Sequence, residues 1–241
     1  MVAVSFDVWG TLLDVSEFFE MIATEIASSA KKEPSYIKEQ VKAIYPKLRQ
    51  LRIEGCISDD DVVEQCLNLL AEDLGVRKEI IRRAIARTLL YGDFKKLPIP
   101  KALDVVRTLS FMNVKLAVLG NVIYWPGAYN RLILEKLGFS EYLYVQIYAD
   151  EIKCSKPRKE AFLRVCEVLR IRPRDLIHVG DNLYEDFLGA LHAGSRAVLI
   201  DSAQERSVSL RDVGYIVPSI TYVPSIVQAI LKSEGLNTGE R

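Results

Sequence analysis

The apolar positions of this chain change period twice. Residues 2–6 form an apolar, β-branched run broken only by Ser5, the pattern of a short buried strand. Past Leu13 the spacing turns helical and stays so for about eighty residues. Phe18, Phe19, Ile22, Ala23 and Ile26 mark one helical face. Ile37, Val41, Ile44, Tyr45, Leu48 and Leu51 mark a second. A third helix carries Val62, Val63, Cys66, Leu67 and Leu70. Ser58 is its expected N-cap, with Asp59, Asp60 and Asp61 in a first turn whose dipole favours carboxylates. Gly75 ends it, and Ile80, Ile81, Ala84, Ile85, Thr88 and Leu89 carry a fourth. Four amphipathic helices with no strand between them predict a small bundle inserted after the first strand.

Pro98 and Pro100 close the insertion, and strands then alternate with helices. Strands are expected over 114–119, 144–148, 176–179 and 197–200, with a short one over 215–217. Helices are expected over 102–111, 128–137, 159–169, 183–193 and 224–233. This alternation predicts an α/β fold, a doubly wound parallel sheet with helices on both faces. Residues 1–14 and 97–234 would form the core, 15–96 an all-helical insertion, and 235–241 a disordered tail.

Composition narrows the classes. The 32 basic and 32 acidic residues cancel, which speaks against a nucleic-acid surface. No apolar run is long enough for a bilayer, and Asp7 interrupts the N-terminal run, so neither a membrane span nor a signal peptide is expected. Cys56, Cys66, Cys154 and Cys166 form no Cys-x-x-Cys pair. They read as mostly buried thiols of a cytoplasmic protein.

Candidate chemistry lies at the strand ends. Asp7, Gly120-Asn121, the loop 153–157 and Asp181-Asn182 each follow a predicted strand, where open α/β sheets bind ligands. Asp186 follows five residues after Asp181. Asp7 and Asp181 brought together repel unless a cation separates them. A hard ion such as Mg²⁺ suits such oxygen ligands, and a nearby lysine could balance an anionic substrate. The residues thus suggest a carboxylate nucleophile or a metal site acting on a phosphorylated or otherwise anionic small molecule.

Four stretches in order resemble the haloacid dehalogenase (HAD) superfamily of hydrolases. They are Asp7-Val8-Trp9-Gly10-Thr11-Leu12, Ala117-Val118-Leu119-Gly120-Asn121, Lys156-Pro157 with Phe162, and His178-Val179-Gly180-Asp181-Asn182 with Asp186 to Gly189-Ala190 and Ala193-Gly194. The helical insertion resembles that family's bundle-type cap. The resemblance implies that Asp7 is the nucleophile of a covalent aspartyl intermediate and that Lys156 holds its charge and the transferred group. It implies Mg²⁺ ligated by Asp7, Asp181 and the Trp9 backbone carbonyl, with Asp186 a ligand or a partner of bound water. Thr11, Gly120 and Asn121 would line the phosphoryl or carboxylate pocket.

Two positions depart from the phosphatase form of the family. A second aspartate, the general acid/base, normally stands two residues after the nucleophile; here it is Trp9, which exchanges no proton at neutral pH. Gly120 replaces the usual Ser or Thr of the second motif. An aromatic at the Trp9 position resembles the metal-independent dehalogenating branch, whereas Gly180-Asp181 with Asp186 resembles the metal-binding phosphatases. The expected activity is a slow Mg²⁺-dependent phosphatase; a 2-haloacid dehalogenase and a non-catalytic phosphometabolite-binding protein stand as alternatives. Nothing in the pattern selects between monomer and homodimer. Tyr124 and Trp125 are expected to pack a loop or wall the pocket, His178 and His192 to be structural. Lys47, Arg49 and Arg52 are expected to form mostly a solvated face, from which one could reach an anionic substrate on closure, and Lys153 to face solvent.

Overall fold

A computed structural model of the chain describes residues 1–211 and 213–235; the tail expected over 235–241 therefore lies, beyond Gly235, outside the described residues. Seven strands form one sheet: β1 (Ala3–Phe6), β2 (Lys115–Gly120), β3 (Val145–Tyr148), β4 (Leu176–Gly180), β5 (Arg196–Ile200), β6 (Val208–Leu210) and β7 (Gly214–Val217). Their order is β3-β2-β1-β4-β5-β7-β6, parallel throughout except for the antiparallel β6–β7 pair. Between β1 and β2 lie α1 (Val15–Ala30), α2 (Pro34–Ile53), α3 (Val62–Leu74), α4 (Lys78–Tyr91) and α5 (Ala102–Ser110). The remaining helices are α6 (Gly127–Lys136), α7 (Ala149–Ile152), α8 (Lys159–Leu169), α9 (Gly189–His192) and α10 (Val223–Ser233).

Side chains alternate across the sheet, as the period of a strand requires. Val4, Phe6, Leu116, Val118, Ile177, Val179 and Val198 point to one face, where α5, α6 and α10 bury Val106, Leu134 and Val227. Ala3, Ala117, Leu119, Leu176, Ala197 and Leu199 point to the other, against Phe162 and Val165 of α8. Both faces are covered, so the strands are apolar almost throughout. The chain runs outward from β1 through β2 to β3, then returns to the far side of β1 with β4. The crevice beyond the C-terminal ends of β1 and β4 is the switch point where such sheets bind ligands.

Helices α1 to α4 bury the apolar faces that their spacing predicts, including Phe18, Ile22, Ile37, Val41, Leu67 and Ile85. Three details differ from the sequence expectation. First, α3 starts at Val62 with Asp61 as an N-cap that makes no side-chain bond. Ser58 Oγ instead accepts from the Asp60 amide, and Asp59 turns away to accept the Ser155 amide. Second, the helix expected from residue 183 opens as a π-helical turn over Leu183–Leu188 before α9. Third, β6 is a three-residue edge strand with exposed side chains, too short to show a period. Cys66, Cys154 and Cys166 are buried, in keeping with the expectation of mostly buried thiols; Cys56 is exposed.

The four-helix segment is joined to the sheet domain by aromatic packing. Trp9 stacks on Phe18 of α1 at a centroid distance of 5.0 Å, and Trp125 meets both rings edge-on at 5.5 and 5.0 Å. Both indole N–H groups donate to Asn130 Oδ1, at 3.1 Å from Trp9 and 2.7 Å from Trp125. Each such aromatic pair contributes about 0.5–1.5 kcal/mol beyond its buried area. Phe18→Ala removes three ring contacts from a fully buried site. It is expected to lower unfolding stability by about 3–5 kcal/mol in urea titrations followed by tryptophan fluorescence.

Candidate active site

Register places the polar residues side by side. Phe6 pairs with Val118 on one side and Val179 on the other. Asp7, Asn121 and Asp181 each follow the end of a neighbouring strand, and the Asp7 amide bonds Val179 O at 2.9 Å. Gly10 turns the chain away with φ +89°, and a Cβ there would lie 2.3 Å from Asp181 Oδ2. The glycine thus serves both the turn and the close approach of the first and fourth motifs.

Lys156 reaches this crevice from the loop after α7. Its ammonium, 1% exposed, lies 2.7 Å from Asp7 Oδ1 and 2.7 Å from Asp186 Oδ1. Burial alone would depress the ammonium, but Asp186 and Asp7 outweigh it and hold it charged. Asp186 is saturated: Oδ1 also meets His178 Nε2 at 3.1 Å, and Oδ2 accepts the Asn182 amide at 3.0 Å. Burial disfavours the Asp186 anion, but Lys156 and His178 overcome this and hold its pKa well below the usual carboxylate range. His178 in turn bonds Ser5 Oγ at 2.8 Å through Nδ1. Burial pushes the imidazole down to about 4, so it stays neutral and orients Asp186. His178 is structural, but what it supports is the site.

Asp7, Asp181 and Asp186 offer oxygens that all lie within 4.8 Å of one another. Burial raises Asp7 to about 6 against the pull of Lys156. Burial, and then the charges of Asp7 and Asp186, raise Asp181 to about 7. The Lys156 ammonium, with the Arg49 guanidinium at the cavity, does not offset three converging carboxylates. The oxygen donor set and this excess negative charge fit a hard divalent cation between Asp7 and Asp181.

A narrow cavity of about 20 Å³ adjoins the cluster, room for about one water molecule. Asp7, Trp9, Asn121, Lys156 and Asp186 line it, and α2 covers it with Tyr45, Arg49 and Arg52. Thr11 and Gly120 are not among its lining residues. Thr11 is fully buried with Oγ1 unbonded, and the Tyr148 ring fills the space beside Gly120, 2.9 Å from where a Cβ would stand. A serine or threonine at 120 would clash with that ring.

Arg49 and Arg52 do not form a solvated face. Both ion-pair with Glu185 in the π-helical turn, and Arg52, 5% exposed, also donates to Val122 O at 3.0 Å. Arg52 continues the apolar spacing Val41, Ile44, Leu48, which is the sequence signal that it faces inward. Asn121 joins this group to Lys156. Its Oδ1 accepts the Lys156 amide at 2.9 Å, and its Nδ2 donates to Lys156 O at 3.0 Å and Glu185 Oε1 at 3.2 Å. Lys153 is exposed as expected, and donates to Asp60 O at 2.7 Å. Lys47 is exposed as expected.

The raised pKa of Asp181 has a measurable consequence for stability. A carboxylate at about 7 in the fold and near 3.8 when unfolded costs stability above pH 7, and that cost disappears as pH falls toward 4. Asp181→Asn should therefore stabilise the protein in EDTA most at pH 8, less at pH 6 and little at pH 4, read from urea midpoints.

Comparison with known proteins agrees with the fold. A family model described as haloacid dehalogenase-like hydrolase matches residues 1–194. N-acylneuraminate-9-phosphatase of Mus musculus is 29% identical over 99 residues, 40% of either chain; the match thus spans about two fifths of that relative's length. A magnesium-bound putative HAD-hydrolase of Bacillus subtilis superposes with TM-score 0.72 at 18% identity, over 94% of this chain and 98% of its own. L-2-haloacid dehalogenase of Xanthobacter autotrophicus, with chloropropionic acid covalently bound, superposes with TM-score 0.69 at 18% identity, over 95% of this chain and all of its own. The matched motifs and the sheet that aligns them place this chain in the haloacid dehalogenase-like hydrolase family.

Proposed function

We propose that this protein is a Mg²⁺-dependent phosphatase acting on a small phosphorylated metabolite, with Asp7 as nucleophile. The observation that carries this reading is the cluster of Asp7, Asp181 and Asp186 around one lysine. Attack on a carbon–halogen bond needs only the nucleophile and its lysine. A second unpaired carboxylate beside them would only repel the nucleophile. Phosphoryl transfer with a bound divalent cation gives Asp181 a use. Asp7, Asp181 and the Trp9 carbonyl would hold the ion, with the saturated Asp186 behind them. When bound, the ion supplies charge neutralisation for the phosphoryl oxygens.

The chain's own residues define the steps. An Asp7 oxygen attacks phosphorus, the bond to the leaving oxygen breaks, and an aspartyl phosphate forms. Lys156 holds Asp7 and offsets charge on the transferred group. The leaving oxygen takes a proton from solvent; water then attacks the phosphorus and gives up a proton to solvent, releasing phosphate and restoring the Asp7 carboxylate. Trp9 does not protonate the leaving oxygen: its indole is no acid at neutral pH, and its N–H is directed to Asn130. A missing general acid costs about 10²–10⁴-fold, so the rate depends on the leaving group. Residues 15–96 act as a cap: a 20 Å³ cavity admits no metabolite until α1 to α4 move, and closure then excludes water.

Trp9 favours a second reading, dehalogenation, and the assay separates the two. With Mg²⁺, p-nitrophenyl phosphate should be hydrolysed at least about 10²-fold faster than an alkyl phosphate, and EDTA should abolish turnover. Asp7→Asn should reduce both to background. Halide release from 2-chloropropionate without phosphate release would replace the proposal with the dehalogenase reading. Binding of Mg²⁺ with neither activity would leave a binding protein.

A further inference from the structure

The loop that presents Lys156 is held by side chains at two successive amides. The Lys156 N–H donates to Asn121 Oδ1 at 2.9 Å. The Ser155 N–H donates at 2.9 Å to Asp59 Oδ2, a residue of the helical segment rather than of the sheet domain. Ser155 and Lys156 are 6% and 1% exposed, and the Asp59 side chain is 11% exposed. A buried amide needs a partner, and here half of that requirement is met from across the interface. Lys153 Nζ bonds Asp60 O from the same side of the loop. Opposite, Asn121 is tied through Glu185 to Arg49 and Arg52 of α2.

We infer that the helical segment seats Lys156, with Asp59 as a positioning residue. When α1 to α4 pack on the sheet domain, Asp59 takes the Ser155 amide while Asn121 takes the next. Asn121 then holds the N–H and C=O of Lys156 while Asp59 holds the residue before it, and the ammonium meets Asp7 and Asp186 together. With the segment displaced, the Ser155 amide loses its acceptor and the loop is held from the Asn121 side alone. The lysine that supports attack is thereby placed only beneath a closed cap. Asp59 itself touches neither Asp7 nor the cavity; it acts through the loop.

The inference rests on the phosphatase reading for its kinetic consequence and on the structure alone for the loop. A displacement of about 1 Å in a catalytic group can cost 10²-fold. Asp59→Ala should therefore lower kcat on p-nitrophenyl phosphate by about 10- to 10²-fold with KM changed less than about 3-fold. Asp59→Asn, whose amide oxygen still reaches the Ser155 N–H, should recover most of the loss. Asp59→Ala combined with Asn121→Ala should cost less than the product of the two single losses, because both act on one loop. Amide exchange at Ser155, followed by NMR, should accelerate at least about 10-fold in Asp59→Ala and not in Asp59→Asn. If Asp59→Ala fails to fold, Asp59→Ser, too short to reach the amide, takes its place. Unchanged exchange at Ser155, or an unchanged kcat in an active enzyme, overturns the inference. A wild-type protein without turnover overturns the phosphatase reading instead, and the exchange measurement still decides whether Asp59 seats the loop.

Discussion

The buried contact of Lys156 with Asp7 and Asp186 is the constraint on which the rest of the site depends. Three carboxylates meet at the sheet switch point, and two of them lie 2.7 Å from one ammonium. Leaving water costs each charge several kcal/mol, returned only where geometry and further hydrogen bonds are satisfied. The surrounding residues meet that requirement. His178 and the Asn182 amide complete Asp186, Ser5 fixes the His178 ring, and Asn121 binds the Lys156 peptide from both sides. Asp186 is thereby held as a firm anion, while Asp7 and Asp181 are left short of positive charge. The arrangement suits a nucleophile that shares its site with a cation.

Trp9 links the chemistry to the packing. Where the phosphatase form of the family carries a proton-transferring carboxylate, this chain puts a ring that stacks on Phe18 and meets Trp125. The change removes a general acid and adds an adhesive contact between the helical segment and the sheet domain. A carboxylate here would be buried among Phe18, Trp125 and Asn130, so the aromatic surroundings and the indole belong together. Gly120 follows similar logic. The Tyr148 ring occupies the space of the missing side chain, so serine could not be restored without moving the ring.

Much of this was legible in the sequence because it depends on local period. The helical run from α1 to α4, the alternation that follows and the strand-end positions of Asp7, Asn121 and Asp181 all follow from spacing and turn residues. What stayed hidden depends on partners far along the chain. Arg49 and Arg52 read as surface charge until the fold brings them to Glu185, although Arg52 lies on the buried face of α2. Asp59 reads as part of a helix N-terminus, but the Ser155 amide, 96 residues away, draws it off. The extra residue that makes the turn after Asp181 π-helical leaves no mark on apolar spacing. His178 looked like a core residue because it is one; only its neighbour Asp186 shows what that core position supports.

The two kinds of contact between the helical segment and the sheet domain do different work. If the segment swings away, Glu185, Arg49 and Arg52 exchange one another for water, and the hydration recovered offsets much of the lost attraction. Such a cluster adds little to closing but selects one closed arrangement, since any other leaves Arg52 or Glu185 buried without a partner. The aromatic group behaves in the opposite way. Phe18, Trp9 and Trp125 would be exposed to water on opening, at about 25 cal/mol for each Å² of apolar surface. Adhesion therefore comes from the rings and register from the charges. That register is what brings Asp59 onto the Ser155 amide, beside the Lys156 that meets Asp7.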